Sequence, residues 1–138
     1  IGWCDWSSDV CSSDLMEAAI DGRLDSVSVE EDEGAAVVVM LASGGYPGDY
    51  TKGFTISGIE TAAEQEGVIL FHSGTAWKDG SLVTNGGRVL GVTAVADDIQ
   101  TAVGRAYRAA EHIYFDGIHY RKDIAHRAIA RLAGSTRI

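Results

Sequence analysis

From Ala35 to Leu41 the chain is an unbroken apolar run rich in β-branched residues, AAVVVML, which predicts a strand buried on both faces. Twelve of the seventeen glycines lie between Gly34 and Gly91, so the segment around and after this strand is turn-rich and mostly β. Further strands are predicted at residues 68–72, 82–84 and 88–94. Lys78-Asp79-Gly80 precedes the second of these and Asn85-Gly86-Gly87 the third, and both carry the composition of a hairpin turn. Glu60 to Glu66 reads as a short exposed helix ended by Gly67. Beyond residue 97 the period changes from two to 3.6. Ile99, Ala102, Val103, Ala106, Tyr107, Ala110, Ile113 and Tyr114 form one apolar stripe, capped by Asp97 or Asp98 and stopped at Asp116-Gly117. Asp123 is expected to cap a second helix with Ile124, Ala128, Ile129 and Leu132 on its apolar side and Gly134 at its end. Near the start, Leu15 to Ile20 are strong helix formers, with Asp14 as cap, Glu17 reaching back to it, and Asp21-Gly22 as the stop. Together these elements predict an α+β fold: a mostly antiparallel sheet of hairpins or a meander, with two C-terminal helices packed on it.

Composition changes this picture mainly at the N-terminus. Residues 1–33 carry ten acids against Arg23 alone, while the other 105 residues carry ten acids and ten bases, so the net charge of −9 belongs to the leading segment. The body is neutral and shows no basic face of the kind that binds nucleic acid. No apolar run approaches the roughly 18 residues that a membrane span requires. The opening IGWCDWSSDVCSSD nearly repeats itself and holds both Cys and two of the three Trp. It has neither the basic start nor the apolar centre of a secretory signal. Residues 1–14 resemble a translated sequencing adapter joined to the reading frame; the alternative is a genuine short acidic tail. Setting them aside leaves no Cys, hence no disulfide frame and no thiolate zinc site, and points to a cytoplasmic setting. The expected organisation is a non-native leader over 1–14, the end of an upstream domain over 15–33, and one domain over 34–134.

Candidate chemistry gathers in two glycine-rich stretches. Gly44-Gly45-Tyr46-Pro47-Gly48 follows the first strand directly, and its glycines expose amide groups able to cup an anion, with Lys52 nearby as a point charge. The bland alternative is a structural turn with a solvated lysine. The stretch is no P-loop, because Lys52 is not followed by Ser or Thr. Asn85-Gly86-Gly87-Arg88 either forms an ordinary hairpin turn with a surface arginine, or lets a ligand approach while Arg88 makes bidentate bonds to a phosphate. Composition does not separate the two. His72, His112, His119 and His126 show no metal-ligand spacing and are read as structural or solvated, so no metal site is expected. Tyr120-Arg121-Lys122-Asp123 is read as the start of a helix with its bases solvated.

Four longer strings narrow these alternatives. LASGGYPGDYTKG, then FHSGT at Phe71–Thr75, then VTNGGRVLGVTA at Val83–Ala94, then YRKDIAHRAI at Tyr120–Ile129, occur in the order and spacing of the C-terminal domain of the phosphoribosylamine–glycine ligase (glycinamide ribonucleotide synthetase) family. MEAAIDGRLDSV resembles the last helix of that family's ATP-grasp portion, so the resemblance covers about residues 15 to 133. Ser73 stands where Ala is usual and Ala125 where Gly is usual. The resemblance implies a ligase that joins glycine to 5-phosphoribosylamine with ATP and Mg²⁺ in de novo purine synthesis, through an acyl-phosphate. The metal-binding signature, the lysines that hold ATP and the N-terminal domain of that family have no counterpart here. The resemblance therefore implies a substrate-cleft domain, inactive alone, whose partners are the ATP-grasp and N-terminal domains, and which contributes no catalytic residue and binds neither ATP nor Mg²⁺ itself. Gly44, Gly45, Tyr46, Pro47, Lys52, Asn85, Gly86, Gly87 and Arg88 are the expected substrate-binding residues. The contrasting possibility is a stand-alone, non-catalytic module that binds a small anion through the same loops.

Overall fold

The structure of the protein, a computed structural model, describes residues 12–28 and 33–135. The chain divides into two compact units, Ile1–Glu33 and Gly34–Ile138. In the first, helix α1 (Ser12–Ile20) is followed by a single 3₁₀ turn, Leu24–Ser26. The helix begins before the expected cap, so Asp14 sits inside its first turn, where a carboxylate complements the helix dipole. The Arg23 amide closes on Ala18 O at 2.8 Å, and its guanidinium pairs with Asp21 at 2.8 Å. Of the expected leader, residues 1–11 lie outside the described residues, and Ser12–Asp14 belong to α1.

The second unit is built on three antiparallel strands in the order β1-β5-β2, namely β1 (Ala35–Ala42), β2 (Val68–His72) and β5 (Arg88–Ala96). Val39 pairs with Val92 on one side of β5, and Leu70 pairs with Val92 on the other. A separate two-stranded ribbon is formed by β3 (Thr75–Lys78) and β4 (Ser81–Thr84). Its turn places Asp79 at φ 50° and Gly80 at φ 78°, the paired left-handed conformations of a type I′ turn. β3 has no counterpart in the sequence-based expectation. Residues 53–56 also run beside β4: Gly53 N–H donates to Thr84 O at 2.7 Å and Ile56 N–H to Leu82 O at 2.9 Å.

One predicted turn is corrected. Asn85-Gly86-Gly87 does not reverse the chain, because β4 and β5 belong to different sheets. β2–β3 and β4–β5 are the two arms of one long hairpin whose only reversal is at Asp79-Gly80. Residues 73–74 and 85–87 are the paired points at which both arms bend from one sheet into the next.

The core lies between the three-stranded sheet and α3 (Ile99–His112). Val37, Val39 and Leu41 of β1 and Leu90, Val92 and Ala94 of β5 meet Ala102, Ala106, Ala109 and Ala110 of the helix, all buried. Four alanines on one helix face let the backbone sit close to the sheet at no cost in side-chain entropy. The expectation that β1 is buried on both faces fails, because α3 covers only one. Val38, on the other face, is 50% exposed, and so is Phe71 of β2, at 55%. The N-cap of α3 is Asp98 rather than Asp97. Its Oδ1 accepts from the amides of Gln100 at 2.9 Å and Thr101 at 3.0 Å, and its Oδ2 accepts from Thr101 Oγ1 at 2.6 Å. The helix ends at His112, short of Tyr114, because Ile113 is already extended and Tyr114 bridges to Ser57. Tyr114 is accordingly exposed, not part of the buried stripe.

Two further boundaries shift. α2 covers only Ile59–Ala63, short of Gly67. α4 (His126–Ser135) starts after the expected position, runs through Gly134 and packs on α3. Asp123 does not cap it with its side chain, because that carboxylate is held by Arg121 through bonds of 2.9 and 2.8 Å; only the Asp123 carbonyl accepts the His126 amide. Leu132 is exposed rather than on a buried face.

The hydroxyl of Thr101, with the two amides, holds the Asp98 carboxyl below the usual aspartate range. A depressed folded-state pKa means a contribution that is complete above the unfolded-state value and vanishes as pH falls through the folded one. Asp98→Ala is expected to lower the melting temperature by several degrees at neutral pH. That gap should close as both proteins are melted at pH values below the folded-state pKa; a gap independent of pH would contradict capping by the ionised carboxylate.

Candidate functional site

The double bend of the long hairpin brings the two arms together through their backbones. Asn85 N–H donates to Gly74 O at 2.8 Å, and the amides of Ser73 and Gly74 both donate to Val89 O at 3.0 Å. Gly74 and Gly86 then meet without side chains between them. A Cβ built on Gly74 would lie 2.7 Å from Gly86 Cα and 2.9 Å from Gly86 N, which is closer than atoms pack. The loop after β1 closes a third side. Ser43 N–H donates to Gly87 O at 2.8 Å, and the ring of Tyr46 lies over the Gly87 α-carbon, where a Cβ would collide with it. Tyr50 meets Tyr46 edge-on, with centroids 6.2 Å apart.

The result is a recess of about 480 Å³, lined by Met40, Tyr46, Ser73, Gly74, Thr75, Asn85, Gly86, Gly87 and Arg88. Among the described lining residues Arg88 alone is charged; it is exposed, and its side chain makes no ion pair or hydrogen bond within the described residues. None of the described lining residues is a carboxylate. Its chemistry is therefore that of an anion site, with a planar guanidinium for a phosphate or carboxylate and small polar groups around it.

The residues singled out in the sequence separate in space. Tyr46, Asn85, Gly86, Gly87 and Arg88 converge on the recess. Gly44, Gly45, Pro47 and Lys52 do not line it. Gly44 instead packs against Gly117, whose carbonyl oxygen would stand 2.9 Å from a Cβ at position 44. Gly45, at φ 95°, turns the chain back toward Asp49. Met40, Ser73, Gly74 and Thr75 are the lining residues that were not singled out. The last three fall in the FHSGT string, which lies across the bend from Asn85-Gly86-Gly87, whereas Met40 belongs to the apolar run of β1 and carried no such signal.

A second recess of about 550 Å³ is lined by Arg121, Asp123, Ile124, Ala125, His126 and Arg127. The hydrogen-bonded Arg121 guanidinium holds the Asp123 carboxyl below the usual range and is itself raised by that carboxylate. The Tyr107 hydroxyl donates to Arg121 O at 2.7 Å and accepts from the Ile124 amide at 3.1 Å, fixing this segment to α3. Arg121 is thus exposed, as expected, and also paired with Asp123. Among the described residues no three His, Cys, Asp or Glu side chains come together as metal ligands, and no helix is long and apolar enough to cross a membrane.

Fold and recess together define a small α+β domain that presents a glycine-walled recess with an arginine at its edge. Residues 36–127 match the model of the phosphoribosylglycinamide synthetase C domain, and the chain belongs to that family. It is similar to phosphoribosylamine–glycine ligase of Pseudomonas aeruginosa, at 51% identity over 122 residues, covering 88% of this chain and 28% of that protein. It is also similar to the trifunctional purine biosynthetic protein adenosine-3 of Gallus gallus, at 49% identity, covering 88% of this chain and 12% of that protein. Among solved structures, a phosphoribosylamine–glycine ligase from Thermotoga maritima superposes with a TM-score of 0.62 at 36% identity, covering 81% of this chain and 28% of that one. The chain spans about 28% of the length of the bacterial relatives it matches.

Two substitutions probe this local geometry. Gly74→Ala is expected to cost about 1–3 kcal/mol, as an overpacked contact between backbones that have no side chain to move aside. Ala125 stands at φ 62°, a left-handed conformation that costs an L-residue about 1–2 kcal/mol. Ala125→Gly removes that cost at the expense of a more flexible unfolded chain, for a net gain of about 0.5–1 kcal/mol. Denaturant unfolding checks both; a neutral Gly74→Ala or a destabilising Ala125→Gly would contradict the backbone geometry described.

Proposed function

We propose that this chain forms the substrate-cleft domain of an ATP-dependent ligase that joins glycine to 5-phosphoribosylamine in cytoplasmic purine biosynthesis, and that the recess at Arg88 receives the sugar phosphate. The observation that carries the reading is the convergence of Tyr46, Ser73–Thr75 and Asn85–Arg88 on one recess in which, among the described residues, the charged group is the Arg88 guanidinium, without an ion-pair partner there. Family membership and the names of the relatives support it. A phosphate monoester suits the site because a guanidinium fork binds two of its oxygens while the glycine walls let it approach the backbone.

Mg²⁺ is bound through carboxylate oxygens, and none of the described residues that line the Arg88 recess supplies one. Phosphoryl transfer and the metal then belong to the ATP-grasp portion of a longer polypeptide, which with the N-terminal domain completes the cleft. Gly44, Gly45, Pro47 and Lys52, which do not line the recess, are not assigned to the phosphate. Supplied with ATP, Mg²⁺, glycine and phosphoribosylamine, the 138-residue chain alone should form no glycinamide ribonucleotide; turnover that survives repurification would contradict the reading.

In a polypeptide that joins this domain to its ATP-grasp portion, Arg88→Ala removes a charge-assisted hydrogen bond worth about 1.5–3 kcal/mol. The expected loss is roughly 10- to 150-fold in kcat/KM for phosphoribosylamine. The KM values for ATP and glycine and the melting temperature should hold. A lower melting temperature with intact kinetics would make Arg88 a strand residue only.

A further inference from the structure

The shape of the recess depends on a residue that does not line it. Ser43 follows β1, is 2% exposed, and with Thr84 makes up the buried polar side chains among the described residues. Its Oγ donates to Gly86 O at 2.8 Å, and its N–H donates to Gly87 O at 2.8 Å. One residue therefore holds two consecutive carbonyls of the segment that leads into Arg88. Gly86 and Gly87 have no Cβ to restrict their own dihedral angles, so the orientation of these peptide planes must be set from outside. The Thr84 hydroxyl, by contrast, is engaged on the far side of β4 by the Phe54 amide at 3.1 Å.

We propose that Ser43 is a positioning residue for the anion pocket: it fixes the Gly86 and Gly87 peptide planes and so holds the Arg88 guanidinium in place for a phosphorylated sugar. The inference rests on the reading of the recess as a sugar-phosphate site, and adds to it the group that preorganises that site. Preorganisation affects affinity through the freedom lost on binding, so its removal weakens the ligand even where the fold survives. A hydroxyl that served only the fold would change stability and leave affinity alone.

The test is calorimetric titration of the 138-residue chain with ribose 5-phosphate, at a temperature where every variant is folded by circular dichroism. The unaltered chain should bind, and Ser43→Ala should bind about tenfold more weakly, the loss expected for one hydrogen bond that orders the site. Ser43→Cys, with a weak donor of similar size, should fall between them, and carries the same comparison if Ser43→Ala does not fold. Ala102→Gly, inside α3, lowers the melting temperature from outside the pocket and should bind like the unaltered chain. Undiminished binding by Ser43→Ala, with or without a lower melting temperature, overturns the inference and leaves the sugar-phosphate reading standing. Equal weakening in Ala102→Gly also overturns it, since affinity would then follow stability. If the unaltered chain does not bind ribose 5-phosphate, or if Arg88→Ala binds it as tightly as the unaltered chain, the sugar-phosphate reading falls and this inference falls with it.

Discussion

Two backbones pass each other at Gly74 and Gly86 at a separation that leaves no room for a side chain, and the rest of the second unit is arranged around that passage. It is where the long hairpin leaves the three-stranded sheet and becomes the β3-β4 ribbon. Without the bend the ribbon would continue in the plane of the sheet, and the loop after β1 would have no edge to close against. With it, Ser43 reaches the carbonyls of Gly86 and Gly87, Tyr46 lies over Gly87, and Arg88 is left at the start of β5 with no protein partner among the described residues. The pocket is thus a consequence of a sheet defect rather than a cavity left between helices. Bulges and close backbone approaches commonly sit beside binding sites for this reason: they re-aim side chains that a regular ladder would alternate.

The core beneath the bend supplies rigidity. α3 lies flat on β1 and β5 through its alanine face, and its N-terminus is fixed by the three hydrogen bonds that Asp98 accepts. The outer face of the same sheet carries no such cover within the described residues, which is why Val38 and Phe71 stand exposed. The pocket-lining Met40 belongs to β1, so the covered core and the recess share a strand.

Much of the α+β fold was legible because its signals are local. α3 showed a 3.6-residue stripe and an aspartate cap, and only the choice between Asp97 and Asp98 and the last turn needed coordinates. β2 lies between Gly67 and Gly74, and β5 begins directly after Gly86-Gly87. What failed were inferences that depend on distant neighbours. An unbroken apolar run such as that of β1 predicts burial on both faces, because the run itself carries no signal of whether one face or two will be covered. Asn85-Gly86-Gly87 has the composition of a hairpin turn, yet the same conformational freedom serves a bend, and only pairing partners distinguish them. β3 is short and mixed in polarity, so nothing in Thr75–Lys78 marked it before its partner was known. For the site, the residues themselves left Asn85–Arg88 open between a plain turn and an anion motif, and the family strings included Ser73–Thr75. Their union across the bend is a tertiary fact, as is the separation of Lys52 and Gly44 from the recess.

If the bend builds one anion pocket around Arg88, a sugar phosphate must perturb the bend and the guanidinium together. A ¹⁵N NMR titration of the 138-residue chain with ribose 5-phosphate follows backbone amides and arginine side-chain resonances at once. Saturable shifts are expected at Gly74, Gly86, Gly87 and the Arg88 guanidinium, with Lys52 and the Arg121–Arg127 segment unmoved. Shifts centred on Lys52 or on residues 121–127, with the Arg88 resonances unchanged, would contradict a pocket built around Arg88.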